Sequence, residues 1–78
     1  MSELLKMPVS ASDLLAESIE EAVHKGTLGG VAGLAVEVRG GTILLRGHCA
    51  SYYCKQLAQQ LAMTIASDAP LCNHIRVK

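Results

Sequence analysis

The 78-residue chain has no tryptophan or phenylalanine, and its only aromatic side chains are Tyr52 and Tyr53. A core built from it must be aliphatic. Net charge is absent too: seven basic and seven acidic residues balance, so no global field draws the protein toward a polyanion. Three cysteines, Cys49, Cys54 and Cys72, are too few and too irregularly spaced for a disulfide framework. Their odd number fits reduced thiols in a cytoplasm-like compartment. No uninterrupted apolar run is long enough to span a bilayer. The first residues, Met1 to Pro8, lack the basic and apolar regions of a signal peptide. The expectation is a cytoplasmic protein, at most peripheral to a membrane.

What is present is a well-patterned small domain. Half the residues are apolar, enough for one core at a length where one core is only just sufficient. Residues 1–9 read as a tail interrupted by Pro8, and residues 10–78 as a single domain. Ser10 or Ser12 can cap a helix whose first turn holds Asp13. Leu15, Ile19, Ala22 and Val23 recur there at helical spacing, and Glu17, Glu20 and Glu21 fall elsewhere. Lys25-Gly26 is the expected stop, with glycine in the left-handed position and His24 favourably placed near the last carbonyls. The glycine-rich run Thr27 to Gly33 has no turn-forming polar residue to pin it and reads as a mobile loop.

Two alternating segments then flank Gly40-Gly41, a strong hairpin signal. Leu34, Val36 and Val38 share one face with Ile43, Leu45, Gly47 and Cys49. Ala35, Glu37 and Arg39 share the other with Leu44, Arg46 and His48. Ser51 is placed to cap a second helix running to Ser67 or Asp68, with Cys54, Leu57, Ala58, Leu61 and Ile65 as its apolar stripe. Pro70 stops it. In the last run Leu71, Asn73, Ile75 and Val77 point inward, and Cys72, His74, Arg76 and Lys78 outward. The order α-β-β-α-β predicts an α+β two-layer sandwich, a three-stranded sheet with both helices on one face. The crossover into the third strand should be right-handed. Alternation alone does not say which strand the third one joins.

Several chemistries can be weighed. Cys49, Cys54, Cys72 and His74 superficially suggest a zinc site, but zinc needs ligands converging on one point. Strand parity sends Cys49 and Cys54 to the core and Cys72 and His74 to the opposite face, so no metal and no cofactor is expected. Cys54 lies in a helix first turn, which lowers a thiol pKa; burial raises it, and no base stands nearby. Gly30-Val-Ala-Gly33 has the G-x-x-G form of an RNA-binding loop but no neighbouring Lys or Arg. One surface stands out. The uncovered sheet face collects Arg39, Arg46, His48, His74, Arg76 and Lys78, opposed chiefly by Glu37. Such a face suits anionic lipid head groups, nucleic acid or an acidic partner, although its lack of aromatic side chains counts against single-stranded nucleic acid; it also suits plain solvation that deters aggregation. Tyr52 and Tyr53 can serve as interfacial anchors or pack on the rim of the core, and the expectation is that at least one packs.

Three segments carry a family resemblance. Val36-Glu-Val-Arg-Gly-Gly-Thr-Ile-Leu-Leu-Arg-Gly47 is similar to a V-x-V-x-x-G-x-V-x-L-x-G hairpin. Ser51 to Ala62 is similar to the helix that follows it, and Leu71-Cys-Asn-His-Ile-Arg-Val77 to the closing V-x-N-x-L-x-V strand. In this order they resemble the BON domain, a small bacterial module, over about Asp13 to Val77. The resemblance implies a non-enzymatic binding module for phospholipid or another anionic envelope ligand, or else a protein-interaction or oligomerisation module without lipid binding. Nucleic acid is not an expected partner. Gly41 and Gly47 match the family's glycines. Gly41 should supply the turn's positive φ, and Gly47 should let a helix approach the sheet closely.

Overall fold

The computed structural model describes residues 10–78, so the expected tail over residues 1–9 lies outside the described residues. The element order is α1 (Ala11–Gly26), β1 (Ala32–Arg39), β2 (Thr42–Cys49), α2 (Tyr52–Ile65) and β3 (Leu71–Val77). This is the α+β arrangement that the alternation predicts. The sheet order is β1-β2-β3. β1 and β2 are antiparallel, and β3 runs parallel to β2 after the crossover through α2. The sequence left the place of the third strand open. The ladder between β2 and β3 is extended at both ends, by Ile43 N–H donating to the Pro70 carbonyl (2.8 Å) and Lys78 N–H donating to that of Cys49 (3.1 Å).

Both helices start on serine caps. The Ser10 hydroxyl accepts from Asp13 N–H and the Ser51 hydroxyl from Cys54 N–H, each at 3.1 Å, satisfying donors that have no partner within the helix. The helices lie on one face of the sheet. Ile19 and Val23 of α1 meet Ala58 and Ala62 of α2 over Ile43, Leu45, Cys49 and Ile75. The fully buried Ile19, Val23, Ile43, Leu45 and Ile75 contribute about 1.5–3 kcal/mol each by leaving water. At Ala58 and Ala62 the small side chains let α2 settle close to its neighbours. Asn73, the polar residue with inward parity, is fully engaged: its Nδ2 donates to the Lys55 carbonyl (3.0 Å) and to Gln59 Oε1 (3.3 Å), and its Oδ1 accepts from Ile75 N–H (3.1 Å). It ties β3 to α2.

The helix ends differ from expectation. α1 continues through Gly26 and is capped at Thr27. The left-handed position falls on Leu28, φ 55°. Leu28 N–H donates to the Lys25 carbonyl (3.1 Å) and Gly29 N–H to that of His24 (2.8 Å), the two bonds of a Schellman cap. Gly30 N–H donates to the Thr27 carbonyl (2.9 Å) and the Thr27 hydroxyl to that of Val23 (2.7 Å). The run expected to be an unpinned loop is therefore a chain of hydrogen-bonded turns. α2 ends at Ile65, short of Ser67, because Ala66 leaves the helix (φ −134°, ψ 69°) to turn toward Pro70. Ile65 and Val77, both expected inside, are 43% and 41% exposed.

The β1–β2 register slips between Ala32 and Ala35. Gly33, at φ 63°, supplies the extra residue of a β-bulge. The slip flips parity, so Ala32 faces out and Val31 enters the core at 5% exposure. Opposite the bulge sits Gly47, at φ 150°. A Cβ there would lie 2.6 Å from Val31 Cγ1 and 3.0 Å from the Ala32 carbonyl oxygen. The close approach at Gly47 is thus strand against strand, where helix against sheet was expected. Gly40 and Gly41, at φ 54° and 83°, form the two-residue turn with both positions left-handed, as a type I′ hairpin needs.

Candidate functional site: a cationic sheet face

The ladder between β2 and β3 fixes the site. Arg46 pairs with His74 and His48 with Arg76. Neighbouring strands are roughly 5 Å apart and alternate residues of one strand roughly 7 Å. The result is a checkerboard in which each histidine has an arginine beside it on its own strand and another across the ladder. All four side chains are exposed and line a depression of about 380 Å³ over Gly47. The two arginine positions lie on the diagonal, about 8 Å apart along the backbone lattice; two positive charges at such a separation repel by roughly 0.5 kcal/mol in water and about 2 kcal/mol near a protein surface. A bound anion between them would turn that cost into attraction.

Lys78 adjoins the checkerboard through a second hollow of about 290 Å³ that it lines with His48, Ala32, Gly30, Cys49 and Ala50. Arg39 stands apart. It pairs with Thr42 at the hairpin end, four residues and roughly 13 Å along β2 from Arg46. Its Nε is 3.3 Å from Glu37 Oε1. That oxygen is shielded from solvent and makes no hydrogen bond, so the ion pair is its compensation. Of the six outward cationic and histidine side chains the sequence singles out, the fold brings together Arg46, His48, His74, Arg76 and Lys78 and leaves Arg39 occupied by Glu37.

The carboxylates of α1 lie in the other layer. Glu21 accepts an ion pair from Lys25 at 3.2 Å, and Glu17, Glu20 and Asp13 are exposed on the helix. The separation follows from sequence: strand period two puts the cations on one sheet face, and helix period 3.6 puts the acids on the outer side of α1.

The thiols form no comparable site. Cys49 is buried, Cys54 half-buried and Cys72 exposed on the opposite face. Cys49 Sγ donates to the Ser51 carbonyl at 3.2 Å. Burial, reinforced by the neighbouring Cys49 thiol, pushes the Cys54 thiol pKa up, away from the thiolate a nucleophile requires. Among the described residues no three His, Cys, Asp or Glu side chains are grouped to hold a metal ion. Among the same residues no helix is long and apolar enough to cross a membrane.

One feature was not visible in the sequence. Tyr52 and Tyr53 are 64% and 74% exposed, and Leu28 is 92% exposed. Neither tyrosine packs against the rim of the core. The signal that places Leu28 is the cap geometry, and that depends on where α1 stops.

The family model described as BON domain matches residues 11–78, which takes in every helix and strand of the fold. No curated protein matches the chain.

Proposed function

The chain belongs to the BON domain family, and from that premise we propose that it is a non-enzymatic module, residues 10–78 acting as one unit, that docks on anionic phospholipid through its cationic sheet face. The observation that carries this reading is the checkerboard of Arg46, His48, His74 and Arg76, set beside Lys78 with no carboxylate lining the depression. Arginine's planar fork suits phosphate oxygens. A cation near an anionic leaflet is worth about 1 kcal/mol, so Arg46, Arg76 and Lys78 together support a reversible, salt-sensitive attachment. Membrane contact would be peripheral. The face has no aromatic side chain, which disfavours single-stranded nucleic acid.

The test is co-sedimentation with phosphatidylglycerol-containing vesicles at low and high salt. Binding at low salt that is lost at high salt supports the reading, because screening over a Debye length of roughly 30 Å at 0.01 M shrinks to about 3 Å at 1 M. A second reading, a protein-interaction or oligomerisation module, is favoured by one feature: β1 and β3 are both edge strands, and unpaired edges can template strand addition. Sedimentation velocity over a range of concentrations separates the two.

A further inference from the structure

Leu28 violates two local rules at once. It occupies the left-handed position of a Schellman cap, φ 55°, where glycine is the ordinary choice and a leucine costs roughly 1–2 kcal/mol. Its side chain is 92% exposed, so among the described residues it recovers nothing by burial. Residues that break local preference without a compensating contact inside the fold point to a role outside it.

The surroundings say what kind of role. Leu28 and Tyr53 border one apolar hollow of about 370 Å³ with Leu57 and Thr27. Gly30 links that hollow to the one lined by His48 and Lys78: it lines the latter, and a Cβ on it would lie 3.3 Å from Cys54 Sγ in the former. Topology makes this one end of the molecule. The C-terminus of α1, the N-terminus of α2, the start of β1 and the ends of β2 and β3 all converge there. Lys25 in the last turn of α1 is taken up by Glu21 at 3.2 Å, so the positive charge of this end comes from Lys78 and the checkerboard beside it. Apart from Glu21, which Lys25 holds, the acids recede from it: at 1.5 Å per residue Glu20 lies about 12 Å back along α1 and Asp13 about 22 Å. Glu37 and Asp68 lie at the hairpin end.

We propose that this end is a membrane-insertion tip: Leu28 enters the hydrocarbon margin of an anionic bilayer, Tyr52 and Tyr53 sit at head-group level, and Lys78 with the Arg46–Arg76 checkerboard holds the phosphates. An apolar residue at a convex turn, flanked by amphipathic tyrosines and then by cations, reproduces the polarity profile of a lipid interface. A protein partner would need a matching pocket, and the adjoining positive charge would still have to be met. The proposal rests on the lipid reading of the sheet face and adds to it an apolar anchor and an orientation, end-on at the α1–β1 turn.

The chain has no native tryptophan, so Leu28→Trp makes a unique reporter, with Gln60→Trp on the exposed side of α2 as its control. Both are mixed at low salt with phosphatidylglycerol/phosphatidylcholine vesicles, with and without brominated acyl chains, and co-sedimentation is followed in parallel. The expected result is a blue shift and bromolipid quenching for Leu28→Trp and neither for Gln60→Trp. Co-sedimentation with no shift and no quenching at position 28 overturns the tip and leaves the electrostatic reading standing. Failure of the unmodified protein to co-sediment overturns the lipid reading and the tip with it. A Leu28→Trp blue shift that grows with protein concentration without vesicles assigns the tip to a second copy and overturns the proposal. Leu28→Gly supplies an independent check. It should weaken vesicle binding roughly tenfold while the fold is retained, and unchanged binding contradicts the tip.

Discussion

Replacing Gly47 with alanine tests the account of how the sheet is built. The new Cβ would stand 2.6 Å from Val31 Cγ1 and 3.0 Å from the Ala32 carbonyl oxygen. The first neighbour can turn aside, but the second is backbone and belongs to a bulge. Forcing them apart costs about 1–3 kcal/mol as overpacking. The backbone at φ 150° adds strain of about 1–3 kcal/mol for any residue with a Cβ. The expected loss is therefore roughly 2–6 kcal/mol, set against a total of about 4–12 kcal/mol for a domain of this length. At the low end that is a fall in Tm of about 8 °C or more. Urea titration and thermal melts by circular dichroism measure it. Gly33→Ala is the control: its φ is 63° and nothing lies within 4 Å of the added Cβ, so only backbone strain of about 1–2 kcal/mol applies. Val31→Ala in the Gly47→Ala background should recover part of the loss, as a coupling of about 1 kcal/mol beyond additivity. If Gly47→Ala proves no worse than Gly33→Ala, or if the double variant is strictly additive, the bulge contact does not govern that glycine.

Other consequences can be checked with the same melts or simple chemistry. Leu28→Gly should stabilise the domain by about 1 kcal/mol through relief of the left-handed leucine, a gain visible as a raised urea midpoint. Asn73→Leu should cost about 1–3 kcal/mol, because the Ile75 N–H and the Lys55 carbonyl lose their partner in a half-buried setting. Iodoacetamide at neutral pH should modify Cys72 well before Cys54, whose pKa is raised by burial and by Cys49; peptide mapping reads the order. Since the folded state favours the protonated Cys54 thiol, its contribution to stability is complete below the ordinary thiol value of 9.0 and declines as pH rises beyond it. A Cys54→Ala variant should lose that alkaline slope.

The parts of the fold governed by local periodicity were readable from the residues. Alternation around Gly40-Gly41 set the hairpin and its two faces, and the serines at positions 10 and 51 marked both helix starts. What escaped reading depended on partners distant in sequence. The place of β3 beside β2 rests on pairing between residues more than twenty-five positions apart, such as Gly47 and Ile75, which no local pattern encodes. The bulge at Gly33 hid because glycine carries no hydropathy signal, and with it went Val31, whose inward turn needs the extra residue. Gly26 looked like the end of α1, yet its φ is not left-handed, and the cap moved on to Leu28. For the site, strand parity was enough to gather Arg46, His48, His74 and Arg76 on one face. It was not enough to remove Arg39, since the Glu37 contact depends on side-chain geometry at the hairpin end.

The most direct test of the central claim compares the unmodified protein with the Arg46→Gln/Arg76→Gln variant in co-sedimentation with phosphatidylglycerol vesicles. Both positions are exposed, so the substitutions should leave stability within about 0.5 kcal/mol, and melts confirm that the fold is intact. The account predicts binding of the unmodified protein at low salt, its loss at high salt, and an affinity for the variant lower by roughly 25-fold, about fivefold for each cation removed. A folded variant that binds anionic vesicles as tightly as the unmodified protein, or an unmodified protein that ignores them at low salt, would contradict it.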